Sequence, residues 1–164
     1  MTPTLPPIDH IGRTRNQYAS LGYPPYAWVT HPEPPPFQRL NKPLSECRLG
    51  LVSSGGVYQV GQVAFHYKDD TSLRVIDTAV DVADLRATHF AYDLTDARKD
   101  PNVVLPLAAL KALENGGELG ALAKNAYTFM GGIYSARKVR EQIAPELVQR
   151  FQTDEVDVVL LVPV

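Results

Sequence analysis

A single cysteine, Cys47, stands among 164 residues. That scarcity excludes an internal disulfide and a cysteine metal cluster, so any redox chemistry needs a partner thiol or a cofactor. No apolar run approaches the length that crosses a bilayer, and the opening Met1-Thr2-Pro3-Thr4-Leu5-Pro6-Pro7 lacks a basic segment followed by an apolar one. The cytoplasm is the expected location. A formal net charge of −2 gives no electrostatic reason to expect nucleic acid or an anionic membrane as partner. The dinucleotide fingerprint and the P-loop spacing are both absent, as are internal repeats. What remains is a soluble-type composition, 45% hydrophobic and 21% charged, long enough for one domain with its own core.

Proline divides the chain. Ten of the fourteen prolines lie within residues 1–43, including Pro24-Pro25 and Pro34-Pro35-Pro36, and they predict a mostly extended arm. One short helix is expected inside it, capped by Asp9, carrying Ile11 and Arg13 to Leu21, and closed by Gly22. Tyr18, Tyr23, Tyr26, Trp28 and Phe37 are interleaved with the prolines, more aromatics than a disordered linker holds. They predict an arm ordered against the domain or against a second subunit.

From residue 44 onward the pattern is α/β. Leu49–Val52 reads as a short strand ending in a Ser53-Ser54-Gly55-Gly56 turn. Gln62–Tyr67 reads as a strand or hairpin arm, Ser72–Asp77 as a strand, and Ala87–Leu94 as an alternating strand. Pro106 opens a helix with Leu107, Leu110 and Leu113 that stops at Gly116-Gly117. Glu118–Ala126 reads as a second helix with Leu119, Leu122 and Ala123 inward. Ser135 caps a third, in which Val139, Ile143, Leu147 and Phe151 recur every four residues and Pro145 predicts a kink or restart. Val156–Val162 is a continuous apolar run that reads as a buried parallel strand. The fold class is therefore α/β, a mostly parallel sheet with helices packed on it, preceded by the proline- and aromatic-rich arm.

Several residues are candidates for chemistry. Ser53, Ser54, Gly55 and Gly56 follow a strand and could offer hydroxyls and backbone N–H groups to an anion, but with both nucleotide-binding spacings absent a plain chain reversal is the favoured reading of the residues alone. His89 and Asp93 share a strand face but lie roughly 13 Å apart along it. With Asp96, Asp100 and Asn102 they either orient a substrate or bind a metal, or they form turns and caps, which Asp-Leu-Thr-Asp and Asp-Pro-Asn suit well. Met130, Gly131 and Gly132 mark a place where the backbone approaches the core or a ligand closely. Lys68–Ser72 reads as a solvated loop and Cys47 as an incidental small residue, with no partner base in reach.

Taken in order, the segments become specific. They are Leu49-Gly50-Leu51-Val52-Ser53-Ser54-Gly55-Gly56-Val57-Tyr58, Lys68-Asp69-Asp70-Thr71-Ser72, Thr88-His89-Phe90-Ala91-Tyr92-Asp93, Asp100-Pro101-Asn102-Val103-Val104-Leu105-Pro106, Tyr127-Thr128-Phe129-Met130-Gly131-Gly132 and Val156–Val164. From about Pro43 to the last residue the chain resembles the selenoprotein B component of the glycine/betaine/sarcosine/D-proline reductase family, in a short stand-alone form. The resemblance implies reductive cleavage of a C–N bond in a small amine or amino acid. Its nucleophile is a selenocysteine or cysteine in a C-x-x-C-like motif just after the strand matching Val156–Val162. It further implies a companion subunit carrying a carbonyl cofactor such as pyruvoyl, and a thiol reductant. The nucleophile is then expected just after Val164, the domain at residues 44–164 reads as C-terminally truncated, and the gene is expected to continue through a UGA codon. No catalytic residue and no metal are expected in these residues themselves. Ser53–Gly56, His89, Asp93 and Met130–Gly132 are expected around the substrate. A non-catalytic ligand-binding or scaffold subunit is the alternative, and an independent metal enzyme built on His89 and the nearby aspartates is a third reading. Leu160 and Val162, left open at a sheet edge, predict a homo-oligomer.

Overall fold

A computed structural model describes residues 9–164, and the expectation of an extended start at Pro3, Pro6 and Pro7 lies outside them. The chain divides between Gln38 and Arg39 into two compact units. In the first, α1 (His10–Ser20) begins as its cap residue dictates: Asp9 Oδ1 accepts from Gly12 N–H at 2.8 Å. No residue of α1 is buried. The order of this unit comes from rings instead. Tyr18 packs edge-on against Tyr23 and Tyr26, and Tyr26 against Trp28 with centroids 4.6 Å apart.

The second unit is built on β1 (Arg48–Ser53). Its residues from Leu49 onward are buried, and it is paired on both sides. With β2 (Val57–Gln59), β3 (Arg74–Asp77), β4 (Leu85–Ala87), β5 (Ala121–Thr128) and β6 (Val158–Val162) it makes two sheets. The larger has the order β3-β5-β1-β6; the smaller is an antiparallel β2–β4 ribbon. β1 runs parallel to both β5 and β6, and β3 is antiparallel to β5. The fold is mixed α/β with a mostly parallel sheet, as the pattern of the sequence implies.

Alternation along β1 sorts the core into two faces. Leu49 and Leu51 point into the larger cluster, where α3 (Leu107–Asn115) contributes Leu107 and Leu110, and β3 contributes Ile76. Val52 points the other way, toward Tyr127 and toward Phe151 and Leu147 of α5 (Ala144–Thr153). Each fully buried Leu, Ile or Phe contributes about 1.5–3 kcal/mol. The exposed Arg137–Glu141 pair and the partly exposed Arg150–Glu146 pair contribute about 0.3–0.5 kcal/mol each. Apolar packing, not surface charge, holds the helices to the sheet. α5 follows α4 (Ala136–Lys138), capped by Ser135, through a π-helical turn at Val139–Ile143 that precedes Pro145. The restart anticipated at Pro145 is this turn. α2 (Thr95–Lys99) is a short connector.

Four readings of the sequence are corrected. Gln62–Tyr67 is a turn and coil, and the ribbon strand is Val57–Gln59. Ala87–Leu94 is not a strand: β4 ends at Ala87, because Asp93 and His89 side chains then bond local backbone N–H groups in place of a ladder. Glu118–Ala126 is not a helix but leads into β5, which lies between β1 and β3. Val156–Val162 is parallel as anticipated, yet it forms an outer strand and is not buried. Leu160 and Leu161 are exposed, Leu161 to 67%, whereas Val162 packs partly against the core.

A clasp fixes where β6 joins β1. Asp157 Oδ2 accepts from Arg48 N–H at 2.8 Å and pairs with Lys42 Nζ at 2.7 Å. The Arg48 N–H and then Lys42 hold the Asp157 carboxyl below its usual value. A depressed carboxylate stabilises the fold above its unfolded pKa, and that contribution is lost as pH falls through the folded value. Asp157→Asn is therefore expected to flatten the loss of stability below about pH 4, seen in urea unfolding across that range; an unchanged acid limb contradicts the clasp. On the other face, a Cβ at Gly50 would stand 2.5 Å from Phe151 Cε1. Gly50→Ala is expected to cost about 1–3 kcal/mol by the same method, and a neutral result contradicts this packing.

Candidate functional site

In a parallel sheet all strands deliver their following loops to one edge, which is where such folds hold ligands. Here three loops meet at that edge, after β1, β5 and β6. They are laced by backbone hydrogen bonds that continue the sheet beyond its strands. Phe129 N–H donates to Ser53 O at 3.0 Å, Gly131 N–H to Ser54 O at 2.9 Å, and Gly56 N–H to Phe129 O at 3.0 Å. On the other side Ser54 N–H donates to Val162 O at 3.1 Å, and Val164 N–H to Ser54 Oγ at 2.9 Å. Ser54 thus bonds to the loops on both of its neighbours.

Side chains brace this edge from below. Ser53 is buried; its hydroxyl donates to Val104 O at 2.6 Å and accepts from Gly55 N–H at 3.0 Å. Thr128, also buried, donates to Val57 O. Gly56 has φ 68°, and a Cβ there would run into the Thr88 carbonyl oxygen. Only glycine fits that position without strain. The close approach lets Thr88 N–H donate to Gly56 O at 2.9 Å, which brings the segment after β4 to the same edge.

That segment carries His89. Its side chain lies beside Gly56, and the residue is 5% exposed. Nδ1 accepts from Ala91 N–H at 3.0 Å. The proton of the neutral ring is therefore on Nε2, which is buried without a hydrogen-bond partner. Burial pushes the His89 pKa down, so the ring is neutral at pH 7. Tyr92 lies against it with centroids 4.7 Å apart and donates its hydroxyl to Gly55 O at 2.8 Å. Phe90 stacks on His89 at 5.8 Å and on Tyr134 at 6.3 Å, and its ring fills the space that a Cβ at Gly132 would need.

The structure thus gathers Ser53, Ser54, Gly55, Gly56, His89, Met130, Gly131 and Gly132 at one edge. Met130 bridges directly to Gly55. Asp93 does not join them. It is exposed, and its carboxylate accepts from Thr95 N–H and Oγ1 at 2.9 and 2.6 Å, bonds that hold its pKa below the usual range. Asp100 likewise accepts from Asn102 N–H at 2.9 Å, so the turn reading of this stretch is the correct one. Among the described residues no three His, Cys, Asp or Glu side chains are grouped to hold a metal ion. Cys47 is fully buried at the opposite end of β1, its thiol 3.3 Å from Pro43 O.

Three residues at the edge were not singled out from the sequence. Asp69, read as part of a solvated loop, accepts from Tyr134 N–H at 2.8 Å across 65 positions of chain. Phe90 and Tyr134 form the aromatic cover. Their adjacency to His89 and Gly132 in the chain was the available signal.

The chain matches the family model described as glycine/sarcosine/betaine reductase selenoprotein B over residues 33–164. It is 33% identical over 128 residues to the D-proline reductase subunit gamma of Acetoanaerobium sticklandii, which covers 78% of this chain and 53% of that protein. It is 31% identical over 156 residues to the glycine reductase complex component B subunit gamma of Symbiobacterium thermophilum, covering 92% and 35% respectively. The betaine reductase complex component B subunit beta of Peptoclostridium acidaminophilum is 28% identical over 130 residues, covering 73% and 28%. The chain therefore spans about half or less of the length of these relatives. No solved structure matches it. The matched stretch contains all three edge loops and the whole sheet, and on that extent the chain belongs to the glycine/sarcosine/betaine reductase selenoprotein B family.

Proposed function

We propose that this chain forms the substrate-holding scaffold of a selenol- or thiol-dependent reductase that cleaves a C–N bond in a small amine or amino acid. The convergence of the loops after β1, β5 and β6 on one edge carries this reading, because the family-matched segments that converge are those the chemistry would need near each other. The chain's own residues supply a neutral imidazole at His89 and an aromatic cover, on loops whose backbone groups hold one another in place. They do not supply the nucleophile. Cys47 is buried at the wrong end of the sheet, and a thiol there is out of reach of the edge loops.

In this reading a selenolate or thiolate from outside residues 1–164 meets the substrate beside Val164 and Ser54. Attack on the amine-bearing carbon forms a chalcogen–carbon bond as the C–N bond breaks and the amine leaves. One reductant thiol then bonds to the chalcogen while the carbon leaves with a proton, and a second thiol frees the chalcogen as the two thiols become a disulfide. A carbonyl cofactor such as pyruvoyl, on a companion subunit, would activate the substrate amine. The relatives' names, as subunits and complex components, support a companion. The open edge of β6, with Leu160 and Leu161 exposed, supports self-association. A cytoplasmic setting, where thiols stay reduced, suits this chemistry.

Extending the chain after Val164 with a single cysteine tests where the nucleophile belongs. Cys47, being buried, gives no competing signal. In this reading the added thiol acts as its thiolate with the Ser54 hydroxyl beside it, and it is expected to be alkylated several-fold faster than a free thiol at neutral pH. A rate at or below that of a free thiol contradicts the proposal.

A further inference from the structure

We infer that the His89 Nε2–H is the donor that binds a carboxylate oxygen of a small zwitterionic substrate, beneath a flap formed by Phe90 and Tyr134. This deepens the proposed function and rests on it. The starting observation is a buried donor with no acceptor: His89 is 5% exposed, its Nδ1 is satisfied by Ala91 N–H, and its Nε2 has no partner. A buried polar group left unpaired destabilises a fold unless something external completes it. Tyr92, which lies against it, and the buried Ser53 and Thr128 of the same edge have acceptors within the protein.

The chemistry of the edge narrows the acceptor. The loops at 53–56, 88–92 and 129–134 contain no Lys or Arg. Arg98 acts on Tyr92 only from outside these loops, so a carboxylate meets neutral donors here, and a zwitterion, which brings its own counter-charge, suits them. The tautomer is fixed for that task, since the Ala91 N–H prevents Nδ1 from carrying the proton. Glycine, betaine and D-proline, which the relatives' names specify, share a carboxylate but not an N–H-bearing amine, so a carboxylate donor is the common requirement.

Aromatic rings lie against the imidazole. Phe90 stacks on His89, presses against Gly132 and is itself covered by Tyr134, which is 74% exposed. In this inference the two surface rings swing aside to admit the substrate, and neither side chain takes part in the backbone bonds that lace the loops. Gly132 leaves the room for Phe90 to lie flat in the closed state.

The experiment uses the full chain labelled with ¹⁵N-histidine, with glycine, betaine and D-proline as probes. Ring resonances of His89 are expected to report a neutral, Nε2-protonated imidazole at neutral pH, and at least one probe is expected to shift Nε2 and raise the melting temperature. His89→Leu is expected to weaken that probe by about ten- to hundredfold, the range of a hydrogen bond to a charged group, while His89→Gln, which keeps an N–H, recovers part of the loss. Phe90→Ala is expected to speed binding. An Nδ1-protonated ring, or a probe that stabilises wild type and His89→Leu equally, overturns the role of His89 alone. Failure of every probe to stabilise the wild-type chain overturns the substrate site and the role of His89 together.

Discussion

Strand β1 has a neighbour on each side, β5 and β6, and both run in its own direction. Parallel pairing on two sides gives three consecutive loops a common exit, and the hydrogen bonds do not stop where the strands do. Ser53, Ser54 and Gly56 continue to bond with Phe129, Gly131, Val162 and Val164 after the ladder has ended. The lacing holds the loops after β1, β5 and β6 together, and the β2–β4 ribbon adds the fourth segment: Gly56 meets Thr88 one rung beyond Val57 and Ala87, and Thr88 in turn sets down His89.

The two faces of the sheet serve the edge in different ways. Beneath the larger core, Ser53 bonds to Val104, just ahead of α3, so that the turn after β1 rests on a rigid support. Across the other face Tyr127 donates to Asp154 at 2.6 Å, and burial with that carboxylate pushes the phenol up to about 12. The bond ties the end of α5 to β5 shortly before the Met130 loop begins. Local rigidity of this kind is what a binding site on loops requires, since loops alone are mobile. An apolar groove of about 470 Å³ between α5 and the outer strand, lined by Val148, Leu161 and Pro163, adjoins Ser54 on this face.

Much of this could be read in the residues. Asp9 and Ser135 mark helix starts because capping is a local interaction, Pro106 does so through its fixed φ, and the Val/Leu composition of β1 and β6 marks strands. β5 was misread because Ala121, Leu122, Ala123, Lys124 and Asn125 carry no β-branched residue, and Leu119, Leu122 and Ala123 fall at helical spacing. Pairing with two neighbours overrode that propensity, as long-range contacts can. The Ala87–Leu94 alternation was real in pattern, but His89 and Asp93 side chains competed for the backbone and stopped the strand. The nearness of the candidate loops to one another is not legible in the sequence. Ser54, His89 and Gly131 lie far apart in sequence; the parallel β1–β5 pair joins Ser54 to Gly131, and the antiparallel β2–β4 ribbon brings in His89. Asp93 was grouped with His89 by chain proximity, which in the folded protein means nothing beyond the turn.

If the lacing carries the site, the amide hydrogens of Gly56, Phe129 and Gly131 must be as well protected as those of β1 and β5. Residue-resolved hydrogen exchange on the unliganded protein measures this directly. Slow exchange at all three, falling away only with the strands themselves, is the predicted result. Exchange at the rate of an open loop, with β1 and β5 still protected, would mean that the edge is not preassembled and would contradict the account.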